Sequence, residues 1–149
     1  MTIHQSSLSE VKTIGEIFGN HRLKIPPYQR PYTWGSDRDD QWYPRDPVKA
    51  LLEDLKEQFS KDSIYLLGSI ILYKNIHQDQ NQEIEIVDGQ QRLVTLTLIF
   101  HALGEQIGLT AQKFPHTQSK DNIKKNYEFI TEWLKKKGLI DEGEGFKNY

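Results

Sequence analysis

The sequence predicts an α+β domain: a small sheet packed with helices and continued by a C-terminal helical extension. Three observations predict it. Apolar residues recur at helical spacing across residues 46–59, 90–107 and 121–137. Residues 64–73 form a continuous apolar run rich in β-branched and aromatic side chains, and residues 83–87 alternate with the two-residue period of a half-buried strand. The second of these strands runs through Asp88-Gly89 straight into a helix, so strand and helix are joined with almost no loop.

The elements follow in order. Residues 1–12 are polar and are expected to be flexible. Thr13 and Glu16 have the spacing of a capping box for a short helix that carries Ile14, Ile17 and Phe18 inward and stops at Gly19. His21 to Ile25 reads as a short strand, and Pro26-Pro27 takes the chain out of the sheet as an extended segment. Residues 35–46 read as a polar loop with two embedded aromatics. Asp46-Pro47 is a helix start, an N-cap oxygen followed by proline at the first helical position, and Val48, Leu51, Leu52, Leu55 and Phe59 form the stripe of that helix. Ile64 to Tyr73 is expected to be one buried strand, bulged or closely approached at Gly68. Glu83 to Val87 is its antiparallel partner, with residues 74–82 as a mobile hairpin tip. The helix from Gln90 to Ile107 is apolar on most sides and therefore central. Residues 108–120 read as a linker. Ile123, Tyr127, Ile130 and Leu134 line one side of a last helix that ends at Lys135-Lys136-Lys137-Gly138. That stripe suits either the domain's own core or a docking partner.

The bulk properties narrow the function classes. A chain of 149 residues suits one domain with a core and an appendage. Charged residues make up 27% and the mean hydropathy is -0.68, which points to long polar surface segments on a globular chain. The net charge of -2 means that any nucleic-acid contact has to come from a local patch. Cysteine is absent, which excludes disulfides, thiol catalysis and cysteine-held metals. The five histidines are scattered without ligand spacing, whereas a carboxylate-held Mg²⁺ stays open. No apolar run approaches a membrane span and no signal pattern opens the chain, so a cytoplasmic location is expected.

Two motifs carry chemistry. Residues 86–96 place Asp88, Gly89, Gln90, Gln91 and Arg92 at a helix N-terminus, with Thr95 one turn further on. Free backbone N–H groups and an arginine there suit phosphate. Three long polar side chains opening an otherwise apolar helix imply that its first turn faces a cleft. Asp88 could serve as the N-cap, hold a metal ion, or do both. The second motif is Ile25-Pro26-Pro27-Tyr28-Gln29-Arg30-Pro31-Tyr32-Thr33-Trp34, an extended strip with a guanidinium for a phosphate and rings for a base to stack on. The plainer reading makes it an edge segment whose aromatics complete the core. There is no G-x-x-x-x-G-K-[ST] and no G-x-G-x-x-G, so neither a P-loop nor a Rossmann site is present.

Together the strip at Ile25–Trp34, the Leu67-Gly68-Ser69-Ile70 segment running to Leu72, and the Asp-Gly-Gln-Gln-Arg start within Val87–Leu96 resemble one family. It is the N-terminal domain of GmrSD-type modification-dependent restriction systems, and the resemblance runs from about Thr13 to Gly108. It implies a ParB/sulfiredoxin-like small mixed sheet packed with helices. It also implies a nucleotide-binding domain over residues 13–110, with 111–149 as helical extension and tail. The implied activity is binding and hydrolysis of a nucleoside triphosphate, tied to restriction of phage or modified DNA. Asp88, Gln90, Gln91 and Arg92 match the hydrolysis motif. Tyr28, Gln29, Arg30, Tyr32, Trp34, Gly89 and Thr95 are the nucleotide-binding candidates, and Asp88 is the candidate ligand for Mg²⁺. The sulfiredoxin reaction is out, because it needs a cysteine. The family continues into a helical region and a nuclease domain, so the chain is expected to be a fragment or a truncated copy without DNA cleavage of its own. DNA is an expected partner only through the full-length protein or a partner nuclease domain. The other class of reading is a DNA-binding or DNA-sensing module that uses Arg22, Lys24, Arg30, Arg38 and Arg45, although Asp37, Asp39, Asp40 and Asp46 are interleaved with them. Oligomeric state is not written in these residues.

Overall fold

Backbone hydrogen bonding and capping divide the described residues into four helices and three strands. The structure is a computed structural model that describes residues 8–36, 38, 45–74, 83–109 and 117–141. In chain order the elements are α1 (Ile14–Asn20), β1 (Arg22–Lys24), α2 (Pro47–Ser60), β2 (Ile71–Lys74), β3 (Glu83–Asp88), α3 (Gln90–Ala102) and α4 (Thr117–Lys136). The α+β class is as the sequence predicts.

The sheet is mixed, in the order β1-β3-β2. β1 runs parallel to β3, and β2 pairs antiparallel to it as the expected hairpin, whose tip lies outside the described residues. Leu23 stands opposite Ile84, and Leu72 opposite Ile86. Leu23 and Ile86 are buried and join one core with Val48, Leu51 and Leu52 of α2 and the apolar residues of α3 and α4. The other face carries Arg22 opposite Glu83 and Tyr73 opposite Glu85.

Local signals fix most of the ends. Thr13 and Glu16 form the capping box reciprocally, at 3.2 and 2.8 Å. α1 runs one residue past Gly19, to Asn20. Asp46 caps α2 by accepting from the N–H groups of Val48 and Lys49, with Pro47 at the first helical position. α4 ends in a Schellman turn on Gly138, whose N–H donates to Lys135 O while Leu139 N–H donates to Leu134 O.

Three expectations are corrected. The 64–73 strand shrinks to Ile71–Lys74, and Ile64 and Leu66 are 96% and 80% exposed. The reason is pairing. β3 has β1 on its other side, and its last partner in β2 is Ile71, opposite Asp88, where β3 turns into α3. An extended segment beyond that point has no ladder to join. α3 stops at Ala102 rather than Ile107, because Gly104 takes a positive φ and closes a Schellman turn, Gly104 N–H to His101 O and Glu105 N–H to Phe100 O. α4 begins at Thr117, inside the stretch read as linker. Its Ile123, Tyr127, Ile130, Trp133 and Leu134 are buried in the common core, so its stripe serves the domain itself. α3 is buried on most sides, as its sequence predicts.

Candidate functional site

The β3–α3 junction is built on Gly89. Its φ of +96° is the left-handed turn that lets a strand feed a helix within one residue. A Cβ there would also stand 3.0 Å from Ile70 Cγ1, so the junction is packed against the 68–70 segment. Gly89, not Asp88, is the N-cap, and it supplies no side chain. Asp88 ends β3, and its Oδ1 accepts from Gly89 N at 3.0 Å. No side chain among the described residues caps the N–H groups at the start of α3.

A cleft of about 210 Å³ opens at this point. It is lined by Asp88, Gly89, Gln90, Gln91 and Arg92 from the junction, by Gln29, Arg30 and Trp34 from the proline-rich strip, and by Ser69. The two motifs, some sixty residues apart in the chain, therefore form the walls of one cleft. Arg92 lies across Gly68: a Cβ at that glycine would be 3.3–3.4 Å from Nη1, Cζ and Nη2, so the guanidinium plane rests on the glycine backbone. Its Nη1 donates to Ser69 O at 3.3 Å. Tyr65 stands nearby, donating to Asp54 Oδ2 at 3.0 Å. Partial burial and that carboxylate raise its pKa, and the charges of Arg92 and Arg45 oppose the rise.

The strip has no strand partner among the described residues, and side chains bond its backbone instead. Gln90 Nε2 donates to Arg30 O at 3.1 Å. Gln91 Nε2 donates to Pro31 O at 3.0 Å, while its Oε1 accepts from Thr33 N at 2.9 Å and Trp34 N at 3.1 Å. From the opposite side, Ser119 Oγ accepts from Tyr32 N at 2.9 Å. Asn122 Nδ2 donates to Tyr32 O at 3.2 Å and Trp34 O at 2.8 Å. Asn126 Nδ2 donates to Trp34 O at 2.6 Å and to the Tyr32 hydroxyl at 2.8 Å. The strip is thus slung between α3 and α4 by side-chain hydrogen bonds to its backbone.

The structure places the candidate residues unequally. Tyr32 is fully buried, and burial pushes its phenol well above the ordinary tyrosine range. It accepts from Asn126 and bonds Thr95 Oγ1 at 2.7 Å, and Thr95, also fully buried, donates to Gln91 O at 2.8 Å. Neither side chain has a face in the cleft. Tyr28 is 68% exposed, with its hydroxyl on Glu85 Oε2 at 3.1 Å. It stands outside the cleft lining, and desolvation followed by the Glu85 carboxylate raises its pKa. Gln29 lines the cleft and donates to Val87 O at 2.8 Å. Trp34 is the one aromatic ring among the lining residues. Of the basic residues read as a patch, Arg38 is bonded to Asp46 and to Asn126 Oδ1, with its guanidinium 3.7 Å from the Phe129 ring centroid. Lys24 pairs with Glu83 at 3.9 Å. Asp37, Asp39 and Asp40 lie outside the described residues.

Sequence reasoning missed Ser119, Asn122 and Asn126. The available signal was three small polar residues at helical spacing beside the apolar stripe of α4. Among the described residues no three or more His, Cys, Asp or Glu side chains gather as a metal site, and Asp88 is the carboxylate in the cleft.

Fold and site together define a class: a small α+β domain whose polar cleft opens at an uncapped helix N-terminus between two arginines. The family model described as GmrSD restriction endonuclease, N-terminal domain, matches residues 14–148. The chain belongs to that family, and membership makes it part of a restriction, phage-defence protein. Comparison with curated proteins and with solved structures gave no match. No helix among the described residues is long and apolar enough to cross a membrane.

Proposed function

We propose that this chain is the nucleoside triphosphate-binding and hydrolysing domain of its restriction protein. The observation that carries the reading is the meeting of uncapped α3 N–H groups, Arg92, Arg30 and Asp88 in one cleft. Phosphate oxygens accept hydrogen bonds from the first N–H groups of α3, where the helix dipole also favours negative charge. Arg92 from the floor and Arg30 from the strip neutralise charge as the terminal phosphoryl group is transferred. The water oxygen bonds to the terminal phosphorus while the bridging P–O bond breaks, leaving nucleoside diphosphate and inorganic phosphate.

The two glutamines divide the work. Gln91 has its oxygen and one N–H committed to the strip, so it positions the wall. Gln90 lines the cleft and commits an N–H to Arg30 O, while its Oε1 accepts no hydrogen bond from the described residues. Gln90 is therefore the residue assigned to hold the attacking water. A cleft of about 210 Å³ fits the phosphates rather than a whole nucleotide; drug-sized ligands fill roughly 300–1,000 Å³. The base lies at the rim, where Trp34 offers a ring. Mg²⁺ is commonly bound by one or two carboxylates together with substrate phosphates, and Asp88 suits that arrangement. Bound there, it would offset phosphate charge. Contact with DNA is assigned to the full-length protein or a partner nuclease domain.

The test is calorimetric titration with the four ribonucleoside triphosphates and Mg²⁺, alongside phosphate release, for wild type and Arg92→Ala. Binding and turnover lost together in the variant is the expected result. Full turnover in Arg92→Ala would overturn the assignment. A wild type that binds no nucleotide would move the reading to the DNA-contacting module, which salt-dependent DNA binding would then identify.

A further inference from the structure

The strip that walls one side of the cleft is itself held by a part of the chain that the nucleotide motifs do not include. α4 reaches the strip through Ser119, Asn122 and Asn126, which are 1%, 5% and 0% exposed. Asn126 is the node. Both of its N–H groups are committed to the strip, and its Oδ1 accepts from Arg38 Nη2 at 2.8 Å. From Asn126 a run of hydrogen bonds passes through the Tyr32 hydroxyl and Thr95 Oγ1 to Gln91 O, inside the first turns of α3. Asn126, Tyr32 and Thr95 are fully buried, so none of the three can exchange its partner for water without cost.

We propose that Asn126 is a positioning residue of the cleft. From α4 it fixes the Tyr32–Trp34 segment against the start of α3, so that ligand affinity at the cleft and the seating of α4 are linked. The linkage runs both ways: a ligand that tightens the strip also tightens α4. The inference rests on the nucleotide reading for its ligand but not for its geometry. Asn126 touches no ligand itself. It acts on the cleft by holding the wall that carries Arg30 and Trp34.

Three variants of the full chain test this. Asn126→Asp keeps the acceptor for Arg38, removes both donors and sets a carboxylate against Trp34 O. Tyr32→Phe is the gentler change, breaking only the hydroxyl node while the Asn126–Trp34 bond stays. Ile130→Val, one turn further along α4 in the core and with no hydrogen-bonding side chain, controls for a general loss of stability. At a temperature where all are folded, Asn126→Asp is expected to raise the KM for nucleoside triphosphate about tenfold and Tyr32→Phe about threefold, on the scale of one buried hydrogen bond. Ile130→Val should leave it unchanged. Equal KM values in all four proteins, or an equal shift in all three variants, overturn the proposal. If Asn126→Asp does not fold, Tyr32→Phe against Ile130→Val decides it. A wild type that binds no nucleotide removes the functional reading alone. The wall is then judged by hydrogen exchange at the Thr33 and Trp34 amides, which are bonded to Gln91 and not to Asn126. Exchange about tenfold faster in Asn126→Asp than in Ile130→Val supports the proposal, and equal exchange overturns it.

Discussion

α2 and α3 begin in opposite ways. At α2, Asp46 accepts from two backbone N–H groups, Pro47 removes a donor, and Arg38 balances the carboxylate. At α3 the cap is a glycine with no side chain, and the neighbouring Asp88 is exposed, with its Oδ1 accepting from Gly89 N. The first start is closed and serves stability. The second has no side-chain cap among the described residues and lies beside two arginines, an arrangement suited to an anion. The difference teaches where in this domain binding free energy is available.

The comparison can be broken at four points. Arg92→Ala has the largest expected effect: a loss of about 10³-fold in kcat/KM for nucleoside triphosphate, the scale of an arginine acting on a transferring phosphoryl group, with Tm nearly unchanged. Steady-state phosphate release reads it. Gly89→Ala comes next. A side chain at φ +96° and a Cβ 3.0 Å from Ile70 Cγ1 should destabilise the fold by about 1–3 kcal/mol in urea unfolding and shift the start of α3. Asp46→Ala should cost about 1–2 kcal/mol while leaving nucleotide affinity within a factor of two, since it opens the other helix. An affinity loss as large as that of Arg92→Ala would show that the two starts are not independent. The smallest effect concerns α1. Thr13 N–H, the Thr13 hydroxyl and then Lys12 hold the Glu16 pKa below the ordinary glutamate range. A lowered folded pKa contributes stability that is present above the unfolded value and lost as the pH falls through the folded one. The start of α1 should therefore fray as the pH falls below the ordinary glutamate range and through the lowered folded value, and Glu16→Gln should abolish that dependence. Amide exchange at Glu16 and Ile17 against pH measures it.

Much of the candidate site was legible because it is local. Asp-Gly before an apolar helix signals a strand–turn–helix step, and Gln-Gln-Arg in its first turn signals a polar opening. The strip was less so. Its rings split three ways: Tyr28 on the surface, Tyr32 in the core, Trp34 in the cleft. Period-two reasoning cannot sort them, because the strip is not a strand. The Ile64–Tyr73 run was misread for a related reason, since its apolar content signals burial while strand pairing depends on a partner's length.

The sequence by itself determined where helices start and stop at Thr13, Asp46 and Gly138, which faces of α2 and α4 are apolar, and that α3 opens after Asp88-Gly89 with three long polar side chains. Capping, backbone sterics and amphipathic periodicity act over a few residues, so a short window holds their cause. Only the tertiary structure decided that Gln91 grips the backbone of Thr33, 58 positions away, and that Asn126 meets Tyr32 across 94. It likewise decided that Gly68 is the seat of Arg92. A side chain's hydrogen-bond partner at that separation is set by which surfaces pack together, and packing is a property of the whole core.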